Sequence, residues 1–228
     1  MKVQLLITCL GDALYGEIGI ATARVLEAVG CEVEFPEGQT CCGQPPFNAG
    51  HWPEAQAIAA HTRRTFDPRL PIVTPSASCA AMIRHGYAQL DREPPLECYE
   101  LTEFLLKHGF TGALRSPRRV AVHTGCHGRM IGLGNTAEQV VGSIKGVTVV
   151  AFGEPEQCCG FGGAFAATHR TVSAGIADAK LDQLVACDAD EVVSTDLGCL
   201  MHLRGRAKFG ERELRLRHVA ELLAEAVS

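Results

Sequence analysis

Eleven cysteines stand in a chain of 228 residues, and eight of them fall into two copies of one pattern. Cys9 is followed after 31 intervening residues by Cys41-Cys42-Gly43, and Cys126 after another 31 by Cys158-Cys159-Gly160. A further cysteine closes each copy: Cys79 follows Cys42 after 36 intervening residues, and Cys199 follows Cys159 after 39, a three-residue insertion. The sequences after those cysteines correspond as well, Ala80-Ala81-Met82-Ile83-Arg84 against Leu200-Met201-His202-Leu203-Arg204. Thiolate sulfur is a soft ligand that selects iron–sulfur clusters, zinc or Cu(I) over hard cations, so four gathered thiols would hold one such group. Adjacent thiols diverge and chelate one small ion awkwardly, whereas a cluster several ångströms across offers each its own iron. The vicinal pairs therefore favour an iron–sulfur cluster over zinc, which remains the alternative; four thiolates suit either [2Fe–2S] or [4Fe–4S], and [4Fe–4S] is the form expected. Metal-free thiol–disulfide exchange is a third reading, weakened by the strained ring that a vicinal disulfide closes.

Glycine beside each pair has a chemical use. Gly43, and still more Gly160, Gly162 and Gly163, let backbone approach a bulky cluster and aim N–H groups at sulfur, which raises a reduction potential. Pro45-Pro46 flank one pair and Gly162-Gly163 the other, so the two environments are expected to differ. Histidine is the other candidate ligand. His123 and His127 flank Cys126, and His202 follows Cys199; of these His127 is favoured. Cys31, Cys98 and Cys187 lie outside the repeat and are read as small apolar core residues. Trp52 is read as packing.

The elements that must position these residues also repeat, with a period near 117. Apolar runs predict strands over 3–8, 31–35 and 71–74, with helices over 54–66, 80–90 and 101–108. In the first helical stretch Leu14, Ile18, Ala21, Val25 and Val29 share a face, and Gly30 stops it. The second copy gives strands over 119–123, 147–152 and 191–195 and helices over 172–186 and 219–227. This alternation predicts an α/β fold of two duplicated Rossmann-like halves, each a mostly parallel sheet flanked by helices. The halves are placed at 1–113 and 117–228, joined by a linker within 109–118. In an open parallel sheet, ligands bind outside the carboxyl ends of the strands. Cys9, Cys41, Cys42 and Cys79 each follow a predicted strand and should converge there, as should Cys126, Cys158, Cys159 and Cys199.

Composition narrows the function classes. Hydrophobic residues at 46% and charged residues at 21% describe an ordinary folded chain. A net charge of -5 without any Lys/Arg run leaves no footprint for nucleic acid. The apolar opening from Val3 to Leu10 is short and interrupted, better suited to a buried strand than to a signal peptide, and no stretch approaches the ~20 apolar residues of a membrane span. A cytoplasmic location is expected, where thiols stay reduced and an odd cysteine count is no anomaly.

The longer motifs are Phe35-Pro36-Glu37-Gly38-Gln39-Thr40-Cys41-Cys42-Gly43-Gln44-Pro45, Pro75-Ser76-Ala77-Ser78-Cys79-Ala80-Ala81-Met82, Cys158-Cys159-Gly160-Phe161-Gly162-Gly163 and Gly198-Cys199-Leu200-Met201-His202. Together they resemble the CCG cysteine-rich domain shared by the cysteine-rich subunit of heterodisulfide reductase and the iron–sulfur subunits of glycolate oxidase and anaerobic glycerol-3-phosphate dehydrogenase. Within that family the lactate-utilization branch is the most similar. The resemblance implies an iron–sulfur redox subunit of a three-protein system that oxidises L-lactate to pyruvate, beside a larger ferredoxin-like iron–sulfur protein and a third small subunit. No flavin fingerprint is present, so the subunit is expected to relay electrons and not to form a complete L-lactate dehydrogenase alone. Two departures stand out. The reductase ends each motif Cys-x-x-Cys, where this chain has Ser76 and Asp196 in the first position; Asp196 is a candidate oxygen ligand. In His123-Thr124-Gly125-Cys126-His127, Thr124 replaces an expected acidic residue.

Overall fold

The computed structural model describes residues 1–228. Its first half runs β1 (Lys2–Leu5), α1 (Cys9–Leu14), α2 (Gly16–Ala28), β2 (Glu32–Glu34), α3 (Gln44–Asn48), α4 (Trp52–Thr65), β3 (Ile72–Thr74), α5 (Ala77–Ala81), a π turn (Met82–Gly86), α6 (Tyr87–Leu90), β4 (Cys98–Glu100) and α7 (Leu101–His108). The second half runs β5 (Gly112–His123), α8 (Cys126–Met130), α9 (Thr136–Gly142), β6 (Ile144–Val149), α10 (Ala164–Thr168), α11 (Arg170–Ala186), β7 (Glu191–Ser194), α12 (Leu197–Phe209), β8 (Leu216–His218) and α13 (Val219–Ala226).

Each half builds one four-stranded sheet, in the orders β2-β1-β3-β4 and β6-β5-β7-β8, and every pairing is parallel. The fold is α/β with two Rossmann-like halves. Parallel sheets carry crossover helices on their faces, so their inner strands are apolar without alternation. All of Ile72-Val73-Thr74 and all of Glu191–Ser194 are buried accordingly.

Two sequence expectations change. Residues 109–118 are not a free linker: β5 begins at Gly112, pairs Gly112 with Ile144 and Ala113 with Lys145, then bulges before Arg118 meets Val147. Gly112 and Ala113, assigned to the first half by sequence, thus belong to the second sheet. A Cβ on Gly112 would sit 3.0 Å from the Ala226 carbonyl oxygen, so glycine is what lets the chain pass α13 at this point. The second change is a fourth strand in each sheet, β4 and β8. Cys98-Tyr99-Glu100 and Leu216-Arg217-His218 mix polar and apolar residues, without the apolar run that marks Ile72–Thr74.

The halves are related by a local two-fold arrangement. α2 packs on α13 and its counterpart α9 on α7, while α1 meets α12 and its counterpart α8 meets α5. One hydrophobic core runs through both, joining Val3, Val25, Leu101 and Phe104 to Val120, Leu181, Leu200 and Leu222. Burial of this common apolar surface supplies the main driving force for docking the halves. No helix is long and apolar enough to cross a membrane.

Candidate metal centres

Each cysteine of the repeat sits where a strand hands over to a helix. Cys9 and Cys126 open α1 and α8, and Cys79 and Cys199 lie in the first turns of α5 and α12. Helix starts present unpaired N–H groups and favour anionic sulfur. The residue three before each closing cysteine explains the departure from Cys-x-x-Cys. Ser76 is the N-cap of α5, its hydroxyl accepting from the Cys79 amide at 3.2 Å, and Asp196 is the N-cap of α12, its Oδ1 accepting from the Gly198 amide at 3.1 Å. Asp196 Oδ2 accepts from the Ser78 amide of the opposite half at 2.8 Å, so both carboxylate oxygens are engaged.

The structure brings the eight thiols into two sets of four. In the first, Cys9 Sγ lies 3.6 Å from Cys41 Sγ, and Cys42 faces both Cys41 and Cys79. In the second, Cys159 Sγ lies 2.9 Å from Cys199 Sγ, and Cys158 faces both Cys126 and Cys159. All eleven cysteines are free thiols. Exposure is graded the same way in both sets: Cys9 and Cys126 reach the surface, Cys41 and Cys158 are half-buried, and Cys42, Cys79, Cys159 and Cys199 are buried. Cys31 and Cys98 are buried core residues and Cys187 is half-buried, away from either set, donating to the Leu184 carbonyl at 3.1 Å.

The Cys-Cys-Gly turn is the same in both copies. Gly43 and Gly160 adopt φ values of 88° and 86°, and their amides donate to Cys41 Sγ at 3.4 Å and Cys158 Sγ at 3.3 Å. Only glycine takes this left-handed conformation without strain. Hydrogen bonds from Cys42, Cys9 and the Gly43 amide hold the Cys41 thiol down at about 3. Cys158 is held well below the ordinary thiol range by Cys126, Cys159 and the Gly160 amide. The neighbours move the other way: bonding to Cys41 and burial raise Cys9, bonding to Cys158 and burial raise Cys126, and bonds to two neighbouring cysteines with burial raise Cys42 and Cys159. Each set on its own thus stabilises one thiolate and resists a second. Full ionisation of four thiols at this spacing requires a cation among them, because metal binding is what displaces thiol protons.

The three candidate histidines occupy different surroundings. His127 spans the two halves: its Nδ1 lies 3.8 Å from Cys126 Sγ, within hydrogen-bonding reach of sulfur, and its Nε2 lies 3.1 Å from the Gln44 side-chain nitrogen of the first half. It links the two sites across the interface, Gln44 being two residues from Cys42. His202 meets Ser173 Oγ at 3.2 Å and packs on Phe161. His123, the last residue of β5, is 0% exposed, and neither ring nitrogen has a hydrogen-bond partner. A ring nitrogen of His123 and the sulfurs of Cys159 and Cys199 all lie within 4.8 Å of one another. Burial, with Lys180 nearby, lowers its pKa to about 3, so the imidazole is neutral with a free lone pair. An unsatisfied buried polar group costs about 1–3 kcal/mol. A thiolate-bound metal or cluster fits this donor set and would relieve that cost.

Lys180 was not anticipated. It is 0% exposed, donates to the Glu154 and Pro155 carbonyls at 2.9 and 3.1 Å, and lies over the Phe152 ring. Burial lowers it to about 8, opposed by the charges of Cys159, Cys199 and Cys158. The signal was present in the sequence: Lys180 falls on the stripe of α11 that buries Ser173, Ala177, Leu181 and Leu184. Gly43 abuts Ala55 and Ile58 as Gly160 abuts Ser173 and Ile176, which makes Thr62 the counterpart of Lys180 and leaves the first set without a buried cation. Trp52 is half exposed and stacked on Phe47 at 5.9 Å.

This duplicated parallel α/β frame, with a four-thiol set at the carboxyl edge of each sheet, defines a two-lobed cysteine-rich protein. The profile of the CCG cysteine-rich domain matches residues 3–84 and 120–204, one copy in each half, and the chain belongs to that family. It is similar to Lactate utilization protein A of Geobacillus sp. (strain WCH70), with 39% identity across 98% of this chain and 99% of the relative. Lactate utilization protein A of Geobacillus kaustophilus (strain HTA426) and of Bacillus thuringiensis (strain Al Hakam) are each 38% identical across 98% of both chains. Among solved structures, a hypothetical protein from Helicobacter pylori shares the fold at a TM-score of 0.56 and 12% identity; the match covers all of this chain and 49% of that one.

Proposed function

We propose that this chain is an iron–sulfur electron-transfer subunit of a lactate-utilization system, acting in the oxidation of L-lactate to pyruvate with protein partners. The observation that carries the proposal is the duplicated set of four thiols, each reaching from a buried floor to a surface cysteine. Near-full-length similarity to proteins named for lactate utilization supports the substrate. Cys9, Cys41, Cys42 and Cys79 would hold one centre and Cys126, Cys158, Cys159 and Cys199 the other. Bound iron–sulfur centres would supply reversible one-electron chemistry. The protein's own residues set the conditions for it: the Gly43 and Gly160 amides donate to ligand sulfur, Lys180 places positive charge beside the second set, and the buried floors exclude water. Exposed Cys9 and Cys126 mark the edges at which a partner can approach. A larger ferredoxin-like iron–sulfur protein and a third small subunit are the partners this reading implies.

The test is anaerobic mixing of the purified chain with those partners and L-lactate. Bleaching of visible absorbance by L-lactate, and not by D-lactate, is expected. Absorbance unmoved by either isomer in the complete mixture would defeat the reading.

A zinc site is the second reading, and one observation favours it. The sulfur pairs at 3.6 and 2.9 Å are nearer the ~3.8 Å edge of a zinc tetrahedron with bonds of ~2.3 Å than the span of a cluster. Zinc would make the chain a structural module of the same assembly. Chelation would then unfold it with no redox change.

A further inference from the structure

The two thiol sets match residue for residue until their floors are compared. Position 123 lies three residues before Cys126, as position 6 lies three before Cys9. The first half has Leu6 there, buried at 1% exposure within the apolar core. The second half has His123, equally buried, with both ring nitrogens unpartnered. Leucine meets every packing demand of this position in the first half, so packing alone does not call for an imidazole in the second. Buried polar groups in folded proteins find partners almost without exception, and each exception calls for an explanation. Here the polar atoms that approach the ring are the sulfurs of Cys159 and Cys199, within 4.8 Å of its nitrogen and of each other. No backbone carbonyl or carboxylate is bonded to it.

We infer that His123 is a nitrogen ligand of the metal centre in the second half, completing a donor set of Cys126, Cys158, Cys159, Cys199 and His123, while the first half offers sulfur alone. This rests on the reading of the cysteines as ligands and selects His123, not the sequence-favoured His127, from the two histidines that flank Cys126. Imidazole suits iron and zinc alike; a four-coordinate zinc would take His123 with three of the four cysteines.

The experiment uses the full chain, purified anaerobically, labelled with 15N-histidine and reduced by dithionite. Pulsed electron paramagnetic resonance should show nitrogen coupling of the size given by directly bound imidazole at one centre only. His123→Leu, which copies Leu6, should abolish it, while His127→Leu should leave it in place. The spectrum of the first centre reports folding in the same sample, so lost coupling with that spectrum intact supports ligation by His123. Coupling absent from the wild type, or persisting in His123→Leu, overturns the inference. Should the protein carry zinc, the iron–sulfur reading fails and this one is read on cobalt(II)-exchanged protein. His123→Leu then shifts the cobalt visible bands toward those of all-sulfur ligation; bands identical to wild type overturn it.

Discussion

Glu100 offers the most quantitative test of the fold. It is 0% exposed and caps α7, its Oε2 accepting from the Thr102 amide at 2.7 Å, the Thr102 hydroxyl at 2.5 Å and the Glu103 amide at 3.3 Å, while Oε1 has no partner. Burial pushes its pKa from an ordinary 4.5 up to about 7, against the pull of the Thr102 hydrogen bonds. A raised folded-state pKa means that the folded protein holds this proton more tightly than the unfolded chain. The associated stability is fully present below pH 4.5 and is lost as pH rises through 7. The gap between 4.5 and 7, at ~1.36 kcal/mol per pH unit, amounts to about 3 kcal/mol. Glu100→Gln keeps a cap acceptor without a titrating proton and should be free of that loss. Urea unfolding of both proteins from pH 5 to pH 8 measures it. Wild type should lose up to about 3 kcal/mol relative to the glutamine variant as pH rises. Parallel stability profiles, or a difference that grows toward acid, would refute the account of Glu100 as a carboxyl held neutral by burial.

Other perturbations address the centres. Gly160→Ala combines a positive φ with a Cβ placed 2.6 Å from the Ser173 carbonyl oxygen, whereas at Gly43 the nearest atom is the Ile58 side chain at 3.3 Å. Denaturation should show a loss of about 3 kcal/mol or more at Gly160 and about 1–2 kcal/mol at Gly43; equal losses would contradict the packing described. Lys180→Met removes the buried cation beside the second set, and potentiometric titration should show one centre moving to lower potential and the other unmoved. Cys158→Ser should remove one centre, measured as lost metal per chain, while Cys187→Ser should change only stability, by about 1 kcal/mol. Equal metal content in those two variants would undo the division of cysteines into ligands and core.

Much of this was legible in the sequence because the chain says it twice. The identical spacing of Cys9 to Cys41 and Cys126 to Cys158 marks the duplication, and alternating apolar runs give three strands of each sheet and the closing helices α7 and α13. The convergence of Cys9 with Cys41 across 32 positions follows from placing both beyond parallel strands. What stayed hidden depends on three-dimensional neighbours. β4 and β8 are three residues long and take their place by pairing with β3 and β7, not from their own pattern. Ser76 and Asp196 read as displaced ligands in a motif, yet their position is the N-cap of a helix, a local role that any Ser or Asp fills well. Adjacency to a cysteine favours His127 over His123 in the sequence, and the His127 ring bridges Cys126 Sγ and the Gln44 side chain, a cross-half contact that no local pattern shows. His123 ends a strand whose preceding residues, Val120 to Val122, are all buried, and the strand carries it inward.

The central claim is that each half gathers its four thiols around an iron–sulfur centre. Metal and acid-labile sulfide analysis of the anaerobically purified protein, with electron paramagnetic resonance before and after reduction, tests it most directly. The account predicts a brown protein with iron and acid-labile sulfide in about equal amounts and two distinguishable paramagnetic centres. A colourless protein holding stoichiometric zinc and no labile sulfide would contradict it.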